Sequence, residues 1–406
     1  MNELLSLFDG LVSFFTVDGL KMVAMWIIGG ILIYLAIKKE MEPTLLLPIG
    51  FGAILMNFPA VKMMECLACG TRFEVMENFV CSECGCKGIF KWVYGGIAEP
   101  LHELYNAGIA NELFPLLLFI GIGAMIDFGP LLTNPKLMIF GAAAQFGIFF
   151  TLGLASFFFP LKDAASIAII GAADGPTSIF VANTLGSDYL GAIMMAAYSY
   201  MALVPIIQPP VIKWLTTKKE RLIRMDHTGK PVSKMTKILF PIVVSVVAGV
   251  IAPESAALVG FLMFGNLLRE CGVLNSLSET AQKVLANLIT LVLGLSVSTS
   301  MIADKFLKPE TLLILGLGLV AFIFDTAGGV MLAKLLNLFL PKKINPMIGA
   351  CGISAFPMSS RVVHKMGLKE DPHNFLLMHA AGVNVSGQVA SVIAGSMVLQ
   401  LVMNLG

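Results

Sequence analysis

Long apolar runs without charged residues constrain this chain more than any other feature. Runs such as 137–159, 190–212 and 311–340 are each long enough to cross the roughly 30 Å hydrocarbon core of a bilayer as a helix. Because they are continuous rather than ten-residue alternations, they favour helices over a barrel. We therefore predict an all-α integral membrane protein, a polytopic helix bundle. At about 20 residues per span plus loops, 406 residues allow roughly nine to eleven spans.

The composition excludes other classes of protein. Hydrophobic residues make up 57% of the chain and charged residues 13%, and the mean hydropathy is +0.86. Soluble globular proteins are about half apolar and a quarter charged. The 27 Lys+Arg residues nearly balance the 26 Asp+Glu residues, which is not the charge of a nucleic-acid binder. Residues 1–18 contain acidic but no basic residues, so we expect no cleavable signal peptide. The predicted location is the cell membrane.

The segment 213–237 is the best marker of topology. It carries eight Lys or Arg residues against two acidic residues, and short basic loops stay on the cytoplasmic side. We divide the chain into an N-terminal membrane segment (1–60), a Cys-rich insert (61–96), a first membrane repeat (97–212), a basic cytoplasmic loop with linking spans (213–284) and a second membrane repeat (285–406).

Two segments interrupt the apolar pattern in the same way. The segments 170–186 and 348–367 both open with Ile-Gly-Ala, and both carry Pro-x-Ser with a Gly eight residues after the Ser. We interpret them as parts of two inverted repeats, about 111–212 and 285–406. Gly and Pro break a helix inside the membrane, and paired broken helices indicate a substrate or ion site in transporters. The alternative is that small residues simply let helices pack closely, which accounts for the glycines but not for a carboxylate in the same place.

Asp174 is the most informative single residue. It lies inside an apolar span, next to Gly175 and Pro176. A charge at the bilayer centre costs at least ~3 kcal/mol, so a carboxylate there indicates a cation ligand or a proton carrier. The alternative is an N-cap for the half-helix that starts at Pro176. The two roles are compatible.

A polar set in the second repeat supplies oxygen donors. These residues are Asn345, Ser354, Ser359, Ser360 and Asn384. Hydroxyl, amide and carbonyl oxygens suit a hard ion such as Na⁺.

Three further side chains have two interpretations each. Arg361 either faces an anion or extends to the interface, and Tyr198 and Tyr200 either face the cavity or form part of an interfacial belt.

Three aspartates near the ends of apolar runs have mostly structural roles in our interpretation. They are Asp127, Asp304 and Asp325.

The Cys-rich insert contains two Cys-x-x-Cys-Gly turns. They place Cys66 and Cys69 in one pair and Cys81 and Cys84 in the other. Four thiolates in this pattern favour a small zinc-ribbon-like insert with a structural Zn²⁺, although the spacing between the pairs is short. Another soft metal, a redox pair and inert thiols are the alternatives.

Several motifs resemble one known family, the membrane β subunit of biotin-dependent, sodium-pumping decarboxylases. Its members act with oxaloacetate, methylmalonyl-CoA, glutaconyl-CoA and malonate decarboxylases. The motifs are Gly171-Ala-Ala-Asp-Gly-Pro-Thr-Ser178, Tyr198-Ser-Tyr200 with Gln208-Pro-Pro210, Asn345-Pro-Met-Ile-Gly349 with Ser354 and Arg361, and His379-Ala-Ala-Gly-Val-Asn384. The resemblance covers nearly the whole chain except the Cys-rich insert.

The resemblance implies the function and the site. The family decarboxylates carboxybiotin and couples this reaction to Na⁺ export with consumption of a proton. Asp174, Tyr198, Tyr200 and Arg361 are the implied catalytic residues, and Asp174, Asn345, Gly349, Ser354 and Asn384 the implied Na⁺ ligands. The implied partners are a biotin carrier protein that supplies carboxybiotin, a carboxyltransferase subunit and a small membrane γ/δ-type subunit; a homo-oligomer is also compatible.

Two other functions fit parts of the same pattern. A Na⁺-coupled secondary transporter of a small carboxylate, without decarboxylase activity, would also use inverted repeats, broken helices and Arg361. A metal sensor or anchor built on the Cys-rich insert would leave Asp174 unexplained.

Overall fold

The computed structural model describes residues 17–38, 43–58, 62–66, 69, 72–73, 90–94, 98–225, 232–251, 253 and 256–405. The described chain is mostly helical, as a lipid-exposed backbone requires, because a helix satisfies its own N–H and C=O groups. Five of these described helices are long and apolar enough to cross a membrane, or seven if each of two bent helix pairs counts as one span. The prediction of a multi-pass helical membrane protein is confirmed.

The helices of the N-terminal part are α1 (Val17–Lys38), α2 (Pro43–Leu55) and α3 (Ala98–Gly108), with strands β1 (Lys62–Cys66), β2 (Arg72–Phe73) and β3 (Phe90–Tyr94) between α2 and α3. Next come α4 (Leu113–Met125), α5 (Gly129–Thr133), α6 (Met138–Ala144), α7 (Phe146–Ala155), α8 (Leu161–Ala168), α9 (Gly175–Thr184), α10 (Leu190–Leu215) and α11 (Lys218–Arg221). The remaining helices are α12 (Lys234–Ile251), α13 (Ala256–Glu270), α14 (Asn275–Glu279), α15 (Ala286–Val297), α16 (Ala303–Phe306), α17 (Pro309–Phe339), α18 (Met358–Glu370) and α19 (Leu377–Leu405).

The chain forms two compact units, and the smaller one comprises residues 1–111 and 291–311. In it α1 packs on α2 at Gly29 and Gly50, where a Cβ on either residue would come within 2.7 Å of the other's backbone oxygen. Asn57, buried after α2, donates to Met301 O (2.8 Å) and accepts from Ala303 N (2.8 Å). This amide therefore fixes the turn before α16.

The Cys-rich insert contributes a small antiparallel sheet in the order β2-β1-β3. Its register pairs Met64 with Phe73, and Cys66 with Phe90. The insert therefore differs in secondary structure from the helical remainder of the described chain.

The larger unit comprises residues 112–290 and 312–406 and contains the main hydrophobic core. Two glycines let α4 and α13 approach closely, because a Cβ on Gly123 or Gly265 would collide with the backbone of the opposite helix. α10, which contains Pro205, Pro209 and Pro210, is bent by 67° near residue 202. The bend separates the half of α10 that carries the tyrosines from the half that carries the prolines.

Candidate functional site

The first interrupted segment is a helix break built around Asp174. A 3₁₀ turn, Ile169–Ala172, ends at Ala173, whose left-handed backbone (φ 51°) cannot continue a helix. Asp174 is then the N-cap of α9: its carboxylate accepts from Thr177 N (3.4 Å) and from the Thr177 hydroxyl (2.8 Å). The predicted capping role is confirmed. Pro176 occupies the first turn, where a missing N–H costs nothing.

The carboxylate of Asp174 also reaches the second half of the chain. The Ser391 hydroxyl on α19 donates to Asp174 Oδ2 (2.9 Å), and the side chain of Asp174 is almost fully buried. Ser354, in the second interrupted segment, donates its backbone N–H to Ala172 O (2.9 Å). The two interruptions therefore meet in the protein interior, and a backbone hydrogen bond joins them.

The face of α19 that carries Ser391 also forms hydrogen bonds with the second interruption. Asn384 donates to Ile353 O (2.7 Å) and Cys351 O (3.2 Å), and Gln388 donates to Ser354 O. The Ser354 hydroxyl donates to Gly387 O (3.0 Å). We call the set Asp174, Ser354, Asn384, Gln388 and Ser391 the polar column. Its members come from both interruptions and from one helix face.

Two acceptor oxygens of the polar column find no donor in the part of the chain that the structure describes. They are Asn384 Oδ1 and Gln388 Oε1, and both are buried. Most buried polar atoms in proteins have such a partner, and an unsatisfied one costs roughly 1–3 kcal/mol. Acceptor oxygens without a donor suit a hard cation, because such an ion is coordinated by the free lone pairs of oxygen ligands.

The length of the column decides which residues can share an ion. Asn384 and Ser391 are seven residues apart, about 10 Å along a helix axis. A hard cation holds its oxygen ligands about 2.3–2.6 Å away, so two ligands of one ion are at most about 5 Å apart. Because Asp174 is bonded to Ser391, Asp174 and Asn384 lie at opposite ends of the column, with Gln388 between them.

The two tyrosines of α10 differ in their surroundings. The ring of Tyr198 lies against Gly175, so close that a Cβ there would collide with it. Its buried hydroxyl has no hydrogen-bond partner among the described residues. The hydroxyl of Tyr200 instead donates to Leu315 O on α17. Of the two tyrosines that the resemblance implies, Tyr198 is therefore the one next to Asp174.

Asn345 is the N-cap of a 3₁₀ segment over Pro346–Gly352, which contains Gly349 and leads into the second interruption. The amide of Asn345 donates to Arg221 O and Ile223 O (both 2.9 Å) and accepts from Met347 N (3.1 Å). Gly349 packs against Gly329 of α17, where no Cβ fits. In this conformation these contacts fix the segment in place.

Arg361 and Ser359 both lie near the beginning of α18 but have different environments. The Arg361 side chain is exposed, and among the described residues it has no ion-pair partner. Ser359 is buried and donates to Gln208 Oε1 (3.0 Å), while Gln208 Nε2 donates to Ala350 O (2.8 Å). Gln208 thus connects α10 to the second interruption.

The three aspartates that we interpreted as structural also have clear positions. Asp127 pairs with Lys237 (3.3 Å), and Asp304 pairs with Lys21 (3.2 Å). The position assigned to Asp325 from the sequence is wrong, because this residue lies mid-helix in α17 and is fully buried. Its Oδ1 accepts from Ile148 N (3.1 Å), and a Cβ on Gly171 would come 2.6 Å from its Oδ2. Asp325 thus packs directly on the first interruption.

Only half of the predicted zinc ligands are described. Cys66 is buried at the end of β1, and Cys69 is exposed in the turn that follows. Cys81 and Cys84 lie outside the described residues. Among the residues that are described, no group of three or more His, Cys, Asp or Glu side chains forms a metal site.

Sequence reasoning missed Thr177, Gln388 and Ser391. The spacing of Asn384, Gln388 and Ser391, at i, i+4 and i+7 within an apolar span, places three polar side chains on one helix face and was a usable signal. Nothing in the sequence indicated that this face would meet Asp174.

A multi-pass membrane protein with a buried carboxylate where two broken helices meet belongs to the class of ion-translocating membrane proteins. The sequence comparisons narrow this class. A family model described as the Na⁺-transporting oxaloacetate decarboxylase beta subunit matches residues 21–402, and the chain belongs to this family.

Individual relatives cover almost the entire chain. The methylmalonyl-CoA decarboxylase subunit beta of Propionigenium modestum is 48% identical over 94% of this chain and 96% of its own length. The oxaloacetate decarboxylase beta chain of Klebsiella pneumoniae is 46% identical over 93% and 94%. The methylmalonyl-CoA decarboxylase subunit beta of Veillonella parvula is 45% identical over 94% and 93%.

These matches confirm the resemblance noted from the motifs. The chain is the membrane subunit of a Na⁺-transporting decarboxylase, and it is a multi-pass protein of the membrane. The family favours this function over a secondary transporter without decarboxylase activity.

Proposed function

We propose that this subunit decarboxylates carboxybiotin, presented by the carrier domain of a partner, and uses the polar column to move Na⁺ outward. The observation that carries the proposal is the buried carboxylate of Asp174, bonded to Ser391 of the second repeat beside the Ser354–Ala172 hydrogen bond. Moving one charge across the membrane costs ~2.3 kcal/mol per 100 mV. Decarboxylation supplies that free energy, and one proton is consumed.

Asp174 is the charged ligand in this proposal. Asn384, Gln388 and Ser354 supply neutral oxygens farther along the column. The loop before α19 contacts the basic segment, because Asn374 donates to Arg221 O (3.0 Å). Asn384 is the column residue closest to the start of α19, so it is also the one nearest the basic segment. Na⁺ would enter at Asn384 and reach Asp174 about 10 Å deeper.

The other predicted residues have supporting roles in the proposal. Asn345 and Gly349, through the contacts described above, hold the second interruption in a conformation that accepts the ion. The candidates for delivering the proton are Tyr198, whose hydroxyl is unpartnered within the described ranges, and Tyr200, two residues farther along. Arg361 attracts the carboxylate of carboxybiotin from its exposed position on α18.

The partners and the arrangement of the chain are part of the same proposal. They are a biotin carrier protein, a carboxyltransferase that selects the acid, and a small membrane γ/δ-type subunit. The inverted repeats are supported by their shared local form, a 3₁₀ turn followed by a short helix, over 169–184 and 346–370. We retain nine to eleven spans, because broken helices shorter than a bilayer add to the five long ones.

The Cys-rich insert is proposed to bind a structural Zn²⁺ through Cys66, Cys69, Cys81 and Cys84. Support comes from the two Cys-x-x-Cys-Gly turns and from Cys66 lying at the end of β1 with Cys69 three residues later. Four protein ligands leave no open position, so the role would be to brace the insert. One zinc per purified chain, lost when all four cysteines are changed to serine, is the expected metal analysis.

The function is tested with the purified complex and chemically prepared carboxybiotin. We expect CO₂ release that requires Na⁺ and is not restored by K⁺, with ²²Na⁺ transport in proteoliposomes. Decarboxylation at an equal rate without Na⁺ would contradict the proposal.

A further inference from the structure

A groove lies between the second half of α10 and helix α18. It encloses about 380 Å³, within the range of roughly 300–1,000 Å³ typical of small-ligand pockets. Its lining residues are Pro205, Pro209, Lys213, Val362, Lys365, Met366, Lys369 and Glu370. We call it the lysine groove. Four of its lining side chains are apolar and three are lysines.

The charges of the lysine groove are unbalanced. In the described part of the chain, none of Lys213, Lys365 and Lys369 forms an ion pair, and all three are exposed. The one acidic lining residue, Glu370, is already paired with Arg221 (2.7 Å). An apolar lining with three uncompensated cations suits a ligand that has an apolar body and a negative charge.

The groove opens on the side that a soluble partner reaches. Lys213 lies in the last turn of α10, at the start of the basic segment that marks the cytoplasmic side. Arg361 precedes Lys365 by one turn on α18, so the cationic surface continues towards it.

The groove is also connected to the polar column. Gln208 lies next to Pro209 on α10, and Ser359 lies one turn before Val362 on α18. These two side chains bond to each other and to Ala350 O, and the adjacent carbonyl of Cys351 accepts from Asn384 (3.2 Å). A change in the spacing of α10 and α18 would therefore reach the column through two hydrogen bonds.

We propose that the lysine groove binds the carboxylated bicyclic ring of the carrier's biotin arm, with Lys213, Lys365 and Lys369 holding its carboxylate. This inference rests on the proposed function. In the reaction the bond between the ring nitrogen and the carboxylate carbon breaks, CO₂ leaves, and the ring nitrogen takes up one proton. Binding in the groove would increase the distance between α10 and α18. This movement would couple CO₂ release to the polar column.

The test compares lysine variants in the purified complex, with chemically prepared carboxybiotin as the probe. Lys213→Gln, Lys365→Gln and Lys369→Gln should each raise the KM for carboxybiotin about fivefold, equivalent to ~1 kcal/mol, the attraction of two charges 4 Å apart in water. The triple variant should raise it about 100-fold. Lys→Arg variants should restore most of the affinity, and the KM of the unaltered protein should rise with ionic strength.

The control is Lys136→Gln, which removes an exposed lysine outside the groove and should leave the KM within twofold. The Na⁺ concentration for half-maximal activity should stay constant in all lysine variants. An unchanged KM in the triple variant would overturn the groove proposal while leaving the proposed function intact. Activity that instead depends on anionic lipid in vesicles, with an unchanged KM, would make the groove a lipid site and would also overturn it. Absence of Na⁺-dependent decarboxylation in the unaltered complex would overturn both proposals.

Discussion

Replacing Asp174 by Asn removes the charge of the polar column and keeps the shape of the side chain. The carboxylate accepts two hydroxyl hydrogen bonds, from Thr177 (2.8 Å) and Ser391 (2.9 Å), and an amide oxygen can accept the same bonds. An amide oxygen at the Oδ2 position keeps both hydroxyl bonds and loses only the longer bond from Thr177 N (3.4 Å), so the variant should still fold and insert into the membrane in normal amounts.

The effect on Na⁺ follows from the lost charge. Two unit charges 4 Å apart attract each other by ~4 kcal/mol at an effective dielectric constant of 20, equivalent to about 1,000-fold in affinity. The amide dipole offsets part of this loss. We expect the Na⁺ concentration for half-maximal decarboxylation to rise at least about 100-fold in Asp174→Asn.

The assay is CO₂ release from carboxybiotin by the purified complex, titrated with NaCl at constant ionic strength. Asp163→Asn is the matched control, because Asp163 is equally buried and accepts from Ser187 (2.7 Å) but lies outside the column. Its Na⁺ dependence should be unchanged. An Asp174→Asn complex with the Na⁺ dependence of the unaltered protein would refute the assignment of Asp174 as the charged ligand.

Three further perturbations test other parts of the account. Gly175→Ala would push a methyl group into the ring of Tyr198 and should cost ~1–3 kcal/mol of stability with loss of Na⁺ activation; Gly153→Ala, which has open space around it, should change neither thermal stability nor activity. Gln208→Leu removes the link between α10 and Ala350 O, so we expect fewer Na⁺ ions transported per CO₂ in proteoliposomes, with an unchanged carboxybiotin KM; an unchanged ratio would contradict a coupling role. Asp371 lies outside the spans, and hydrogen bonds from Arg224 (2.6 Å) and from the backbone N–H of His373 lower the pKa of its carboxyl group. The Arg224–Asp371 pair therefore stabilises the fold above the usual pKa of about 4, and this stabilisation is lost as the pH falls through the lowered pKa. Arg224→Gln should therefore lower the melting temperature at pH 7, and this loss should shrink as the pH falls below about 4. A loss that does not depend on pH would disprove the linkage.

The helical architecture and the first interruption could be predicted from local sequence. Apolar runs have a direct structural meaning in lipid, and Asp174 followed by Gly175 and Pro176 is a cap signal that needs no tertiary information. The structure agrees with both, since α9 begins at Gly175 and Asp174 caps it.

The partners of the site residues could not be predicted in the same way. Ser391 and Asp174 are 217 residues apart, and only the packing of α19 against α9 brings them together. The same limit applies to Asn345, whose amide is engaged by the backbone of Arg221 and Ile223. The mid-helix position of Asp325 was already readable from the apolar run 311–340, which matches α17 closely, but its packing on Gly171 was not, because that contact joins distant parts of the chain.

The most direct measurement of the central claim is the infrared spectrum of the Asp174 carboxylate in the purified complex during titration with Na⁺. We predict a shift of a carboxylate band that saturates at the same Na⁺ concentration as decarboxylation, is not produced by K⁺ and is missing in Asp174→Asn. A decarboxylase fully activated by Na⁺ whose carboxylate bands do not change, or change equally in Asp174→Asn, would contradict the binding of Na⁺ by this residue.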